Sequence, residues 1–496
     1  MYVLDSTTKT IKVAMSAAAA TTNPDYTVAY ADNNGTAFTE GATDGVLSGT
    51  TDVTVCSAPA ASTRRIVKAM TIHNRDTAAV TVYIKYDNSG TQRRLTAVTL
   101  GVGETWTMDG TYDVYGNLKS GYIVATPLAI SGISGQVAQG YATTLTINGT
   151  SFGTSAITVR FNFSGTIADV SVTPIGIGTS CTVAVPSTIY NLTALTSGSI
   201  TLIDSAGRVS NTYTGLSVGS LPTGGSYVAT NGTYRIHIFK SSATFTTGTY
   251  VPTGNYDYIL VAGGGGAGGC MAGGGGAGGY VAATNSALTA STGYSVTIGG
   301  GGAGTSSRTG PTVGGSNSVF NLSTAIGGGF GAGWAINGGT GGSGGGATQS
   351  YTAGTGTSGQ GYAGGGNTGG SGGGGGGAGG AGLAVTAGNG GVGIISTLIT
   401  TTQASSYAVG QVSASNVYFA GGGGGGWGGS GYGANNGSAG GLGGGGAGGS
   451  SGTAQLTGVD GTVNTGGGAG GGGYTGNDYS GGTGGSGVFI IRYSVA

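Results

Sequence analysis

Apolar and polar positions alternate through much of the first half of this chain. Arg65 to His73 (RIVKAMTIH) and Val80 to Tyr86 (VTVYIKY) repeat with period two, the mark of a strand with one buried face. Asp87-Asn-Ser-Gly90 then supplies a turn, Arg93 to Leu100 reads as the returning strand, and Gly101-Val-Gly103 ends it. Thr105 to Met108 and Tyr112 to Val114 are further short strands. Strands at this spacing predict an antiparallel β-sandwich over residues 1–125. Beyond Pro127, Thr144 to Gly153 reads as a strand, a turn and a small-residue bend, and the alternation resumes in Ile157 to Phe161, Cys181 to Val185 and Gly198 to Ile203. A stretch rich in Gly, Ser and Pro near Ser217 to Gly225 reads as a linker, placed at 219–225. Strands are predicted again at Tyr234 to Phe239, Ala243 to Tyr250 and Tyr256 to Val261.

From there the pattern changes. Of the chain's 118 glycines, 91 lie in its last 236 residues, so side chains cannot build most of that region's core. The glycines come in runs that include 263–266, 273–276, 372–377, 421–426, 443–446 and 470–473. Only the backbone is left to bond, and buried amides and carbonyls must be paired. Extended threefold helices, with about 3.1 Å rise per residue and no internal hydrogen bonds, could bond to one another side by side; six residues would span roughly 19 Å. Collagen is excluded, because runs of four to six glycines break a strict period of three and only 8 prolines are present. Gly/Ser tracts ordinarily form flexible linkers. Order is favoured here by the large aromatics in the intervening islands (Trp334, Trp427, Phe330, Phe419, Tyr294, Tyr418) and by strand signals at Tyr294 to Ile298 and Asn416 to Phe419. Order is favoured too by the apolar strands Tyr256–Val261 and Gly487–Tyr493, whose pairing would close the region at its base.

Charge changes the picture further. Only 6% of residues are charged and the formal net charge is zero, so no basic footprint for nucleic acid exists. After Asp257 only Arg308, Asp460, Asp478 and Arg492 carry charge. Cys56, Cys181 and Cys270 are isolated and odd in number, which reads as reduced, structural thiols. The N-terminus lacks the basic and apolar regions of a signal peptide, and no stretch reads as membrane-spanning. The expectation is a protein made in a host cytoplasm and carried in a particle, without membrane insertion.

Residues 126–218 suit an immunoglobulin-like sandwich. TLTINGTSFG at 144–153 and AVPS at 184–187 resemble the TIG-type members of that class. YDYILVAGGGGAGG at 256–269, the repeated GGGGAGG blocks and GGSGVFIIRY at 484–493 resemble the glycine-rich C-terminal domain of bacteriophage tail-fibre and adhesin proteins. MYVLDSTTKTIKV at 1–13 and the stretch 55–90 resemble N-terminal domains of phage virion proteins. The resemblance implies an all-β protein: a virion-anchoring sandwich, an immunoglobulin-like spacer, and at 226–496 a domain of β-strands and polyglycine II helices whose distal loops touch a receptor. It also implies other virion proteins as partners through the N-terminal domain, a host surface glycan or outer-membrane protein as receptor, and a homotrimer.

Motifs for chemistry fail on their context. Gly263-x-Gly265-x-x-Gly268 follows a strand, but no helix can form after it and no acidic residue follows until Asp460, so a dinucleotide fingerprint is not met. No Gly-Lys pair exists for a phosphate-binding loop. The two histidines, His73 and His237, lie in different segments, and no metal cluster or cofactor is expected. Asp460 and Asp478 lie on separate islands, and Asp109 with Asp113 reads as a solvated turn rather than a glycosidase pair. The chain is therefore read as a binder and not an enzyme. Tyrosine and tryptophan give rigid contact area at low entropic cost, so the receptor-contact candidates are Trp334, Tyr351, Tyr362, Tyr407, Trp427, Tyr432, Tyr474 and Tyr479. The alternative is a capsid decoration or head-fibre protein with the same domain order.

Overall fold

The structure, a computed structural model, describes all residues except 1, 113–117, 122–126, 177, 253, 309–311, 335, 350, 367–369, 385–387, 429–436, 451–454 and 496. It is almost wholly β. Among the described residues the helices are Ser187–Tyr190 and Thr401–Tyr407. The second was not foreseen, although Thr400 and Gln403 form a complete capping box at its start. The chain divides into two compact units, Met1–Pro127 and Leu128–Ala496.

The first unit is a sandwich of two antiparallel sheets. One carries Asp25–Asn33, Phe38–Val46, Arg64–His73 and the short strands Tyr2–Leu4, Thr105–Thr107, Gly110–Tyr112 and Leu118–Gly121; the other carries Val53–Cys56, Lys9–Met15, Val80–Asn88 and Thr91–Leu100. The alternation read from sequence becomes the core: Val67 and Ile72 from one sheet meet Val82 and Ile84 from the other, all fully buried. Part of the strand expected at Tyr112 to Val114, together with Asp113, lies outside the described residues.

The second unit begins with another two-sheet sandwich, of immunoglobulin type. Three strands (Ala129–Ser134, Thr144–Thr150, Ser180–Ala184) face five (Val137–Ala138, Tyr213–Gly219, Ser197–Ile203, Ile157–Phe163, Thr166–Val172). Leu145, Ile147, Phe161, Phe163, Ile200, Leu202 and Cys181 fill the space between them. Burial pushes the Cys181 thiol up to about 11, as befits a packing residue. Residues 219–225, expected as a linker, are pinned: the Tyr250 amide donates to the Ser220 carbonyl, and Thr223 pairs with Thr246. Thr246 also ends the strand that sequence carried on to Tyr250.

Below the glycine region lies a five-stranded sheet, ordered Tyr227–Asn231, Tyr234–Phe239, Val488–Ser494, Tyr256–Val261, Tyr280–Ser286. Tyr256–Val261 and Val488–Ser494 pair antiparallel, Val261 opposite Val488, so the two bracketing strands do close the domain. Both faces of this sheet are covered, which explains the unbroken apolar runs YILV and VFII. Ile259, Val261, Val488 and Ile490 enter one core; Tyr258, Leu260, Phe489 and Ile491 enter the other.

Beyond the sheet the glycine segments form a lattice of extended rods. Segment 272–279 shows the rule. The amides of Ala272, Gly275 and Gly278 donate to the carbonyls of Gly472, Ala469 and Gly466. Those of Gly273, Gly276 and Gly279 donate to Ala332, Gly329 and Ile326, and those of Gly274 and Ala277 to Gly373 and Gly376. Every third residue meets the same neighbour, as a threefold helix requires. The carbonyls of this segment accept from three further rods, through Gly426 and Gly423, Gly346 and Ser343, and Gly265. The rod thus has six neighbours. Segments 262–269, 371–378, 420–428 and 465–473 are surrounded in the same way. These five interior rods hold five of the six glycine runs named above. Rods with an outer face, such as 312–317 and 455–462, can carry side chains there; Val313 and Val459 are exposed.

Glycine is needed in these interior rods for what it lacks, because their glycines, Gly466 at one rod's start excepted, keep negative or fully extended φ. A Cβ on Gly264 would stand 2.0 Å from the Gly467 carbonyl oxygen, and one on Gly274 2.1 Å from that of Gly423. Gly264→Ala is expected to cost about 3 kcal/mol, read as a lowered urea midpoint. Gly300→Ala, where a Cβ meets nothing within 4 Å, is expected to stay within about 0.5 kcal/mol of wild type.

His237 sits fully buried in the base sheet, between Phe245 and Tyr493. Its Nδ1 lies 2.7 Å from the Gly224 carbonyl, and its Nε2 has no partner among the described residues. Burial pushes its pKa down to about 4, with Arg235 adding to the effect against the Gly224 carbonyl. A histidine depressed in the folded state is neutral there while the unfolded chain takes up a proton. Its stabilising contribution is therefore full above about pH 6.5 and is lost as pH falls toward 4, by up to about 3 kcal/mol. Urea midpoints at pH 7.5 and 4.5 test this: the wild type should lose stability on acidification, and His237→Phe should lose less.

Candidate functional site

The rods have two ends. Tyr256–Val261 enters rod 262–269 directly at the sheet end, and the chain reverses at the far end through Cys270 and Met271, both left-handed (φ 63° and 47°). The distal connections gather around this turn. The Thr348 hydroxyl donates to the Gly333 carbonyl at 2.8 Å. Ser371 pairs with Trp427, and Gly428 with Tyr474. The Tyr474 amide donates to the Trp427 carbonyl at 3.0 Å, and the Trp427 indole N–H to Ser438 Oγ at 3.0 Å.

One cluster at this end joins side chains distant in sequence. Arg308 Nε donates to both carboxylate oxygens of Asp478, at 2.8 and 2.7 Å. The guanidinium carbon lies 5.1 Å from the Tyr474 ring centre and 6.0 Å from that of Trp334. Cys270 is fully buried beneath; burial, with Asp478 beside it, pushes its thiol up to about 12. The Arg308 hydrogen bond holds the Asp478 carboxyl below its usual range. The Arg308 side chain is 43% exposed and that of Asp478 28%.

The sequence-derived candidates separate by position. Trp334, Trp427, Tyr474 and Tyr479 belong to the distal end, with the Tyr479 hydroxyl accepting from Thr475 at 3.2 Å. Tyr351, 40% exposed, follows the distal turn at Thr348. Tyr362 lies within rod 361–366, its amide bonded to Gly377, and points out from the side of the lattice. Tyr407 is at the opposite end: its ring packs 4.9 Å from that of Tyr227 and its carbonyl accepts from Lys240. It therefore leaves the distal set. Tyr432 lies outside the described residues. Gly263, Gly265 and Gly268 form part of an interior rod and not a strand-to-helix turn, so the dinucleotide pattern is spurious.

Sequence reasoning missed Arg308, Asp478 and Cys270. The signal was present: in a region with four charges, one arginine and one aspartate on separate islands stand out. Asp460 has a different task, its carboxylate accepting from the Thr483 amide. Among the described residues no group of His, Cys, Asp or Glu could hold a metal, and no helix is long and apolar enough to cross a membrane.

A family model described as a glycine-rich domain matches residues 240–494. A solved structure of the FN1–FN3 domains of chicken CNTN1 is similar at 10% identity, covering 55% of this chain and 81% of that one, with a TM-score of 0.18. A likeness of that degree carries no argument. No curated protein matches.

Because the lattice rather than the tip holds the domain together, Arg308→Ala and Trp427→Ala should each leave the urea midpoint closer to wild type than Gly264→Ala does. A collapse of stability in either variant would assign the tip a structural task.

Proposed function

Since the chain belongs to the glycine-rich domain family, whose model spans more than half of it, we propose that it is a fibre or adhesin of a bacteriophage particle. In this reading the N-terminal sandwich anchors it to other virion proteins and the immunoglobulin-like domain carries the glycine-rich domain. The distal loops bind a host cell-surface receptor non-covalently, without catalysis or cofactor. The observation that supports it most is the division of labour in the lattice. Interior rods are fixed almost wholly by backbone bonds, while the distal connections carry the half-buried aromatics Trp334, Trp427, Tyr474 and Tyr479 and the exposed Tyr351. Such a platform lets loop residues change without loss of the fold. Each interior rod finds its six neighbours within one chain, so a homotrimer would be built through surfaces outside the lattice.

Immunogold labelling of intact particles with antibody to the glycine-rich domain tests the reading. Gold confined to the tail end is the expected result. Gold spread over the head would replace it with capsid decoration, and particles without gold would end the virion reading altogether.

A further inference from the structure

Resting on the adhesin reading, we propose that the Arg308–Asp478 pair, flanked by Trp334 and Tyr474, is the centre of a binding site for neutral carbohydrate, taking a pyranose unit of a surface polysaccharide. These two residues are half of the four charges beyond Asp257. They come from loops 170 positions apart and meet only at the distal end. An exposed ion pair of this kind contributes little to stability, and the rods already hold both loops. The pair is also presented rather than merely exposed: Cys270 and its turn pack beneath Asp478, and two rings flank the guanidinium.

The chemistry selects the ligand. The pair carries no net charge, so it offers no Coulombic attraction to a polyanion or a cation. It offers a carboxylate that accepts and a guanidinium that donates, side by side. Adjacent sugar hydroxyls, each both donor and acceptor, match that arrangement. The half-buried Trp334 and Tyr474 rings, over which the guanidinium lies, would add apolar surface beside the pair for the C–H face of a pyranose. Arginine, tryptophan and tyrosine are also the residues that dominate binding energy when clustered.

The test uses the full chain against a panel of immobilised neutral bacterial surface polysaccharides, read by biolayer interferometry. Binding to at least one is expected. Arg308→Ala, Asp478→Asn and Trp334→Ala should each weaken it at least tenfold, a difference of about 1.4 kcal/mol. Tyr407→Ala, at the other end of the rods, should not. Circular dichroism and urea midpoints matching wild type would show that the variants fold, and Arg308→Lys, which keeps the charge but loses the fork, should bind in between. Polysaccharide binding indifferent to all three substitutions would overturn the assignment. So would attachment to host cells that survives periodate oxidation of glycans but not protease treatment; that result makes the receptor a protein and leaves the adhesin reading standing. Failure to attach to any host cell would sink both.

Discussion

The fold of the glycine-rich domain depends on one constraint: backbones can hydrogen-bond laterally in every direction only where almost no Cβ stands between them. A β-strand bonds to two neighbours in a plane and uses its side chains for the third dimension. The rods here bond to six neighbours and have no side-chain layer in the interior. Fixing a backbone residue costs roughly 1–2 kcal/mol, while a hydrogen bond returns about 0.5–1.5 kcal/mol net. The balance per residue is close, so no rod is stable by itself. The lattice must form cooperatively, and the base sheet adds apolar burial on both of its faces. Phe239 and Phe489 of that sheet join Phe245 and Phe320, which pack against it from strands Ala243–Thr246 and Ser318–Phe320, in an aromatic cluster with ring centres 4.3 to 6.4 Å apart.

The same constraint explains the separation of chemistry from scaffold. Interior rods tolerate glycine and, at places where a Cβ finds room, alanine, such as Ala267, Ala277 and Ala469. Residues capable of recognition are displaced to outer faces and rod ends. The few charges follow suit. Arg492 pairs with Asp257 at the base, and Arg308 pairs with Asp478 at the tip. The buried middle carries none.

Much of the fold was legible in the sequence because period-two alternation survives burial on one face. Arg64–His73, Val80–Asn88 and Ile157–Phe163 were each readable in that way. The closing pair Tyr256–Val261 and Val488–Ser494 was readable as unbroken apolar runs. Glycine runs marked the interior rods. The outer rods were harder: 312–317 and 455–462 contain threonine, valine, serine or glutamine on their solvent side and look like loops. The helix Thr401–Tyr407 was hidden by its Thr/Ser-rich composition, its capping box the one local cue. The tip was the least legible. Aromatic content nominated Trp334, Trp427 and Tyr474, but also Tyr407, because composition does not say which end of a rod an island occupies. That assignment needs the lattice, since each rod reverses direction and only the pairing register tells one end from the other. Arg308 and Asp478 become partners only through that register.

The central claim is that the glycine segments are one cooperative, backbone-bonded body. Native-state hydrogen exchange followed by mass spectrometry tests it most directly. Amides of 263–266, 273–276, 421–426 and 469–472 should be protected to the free energy of global unfolding and should exchange together, while those of the distal connections exchange early. Exchange of the glycine runs at unstructured rates, with protection confined to the sheets, would contradict the account and make the region a flexible tether.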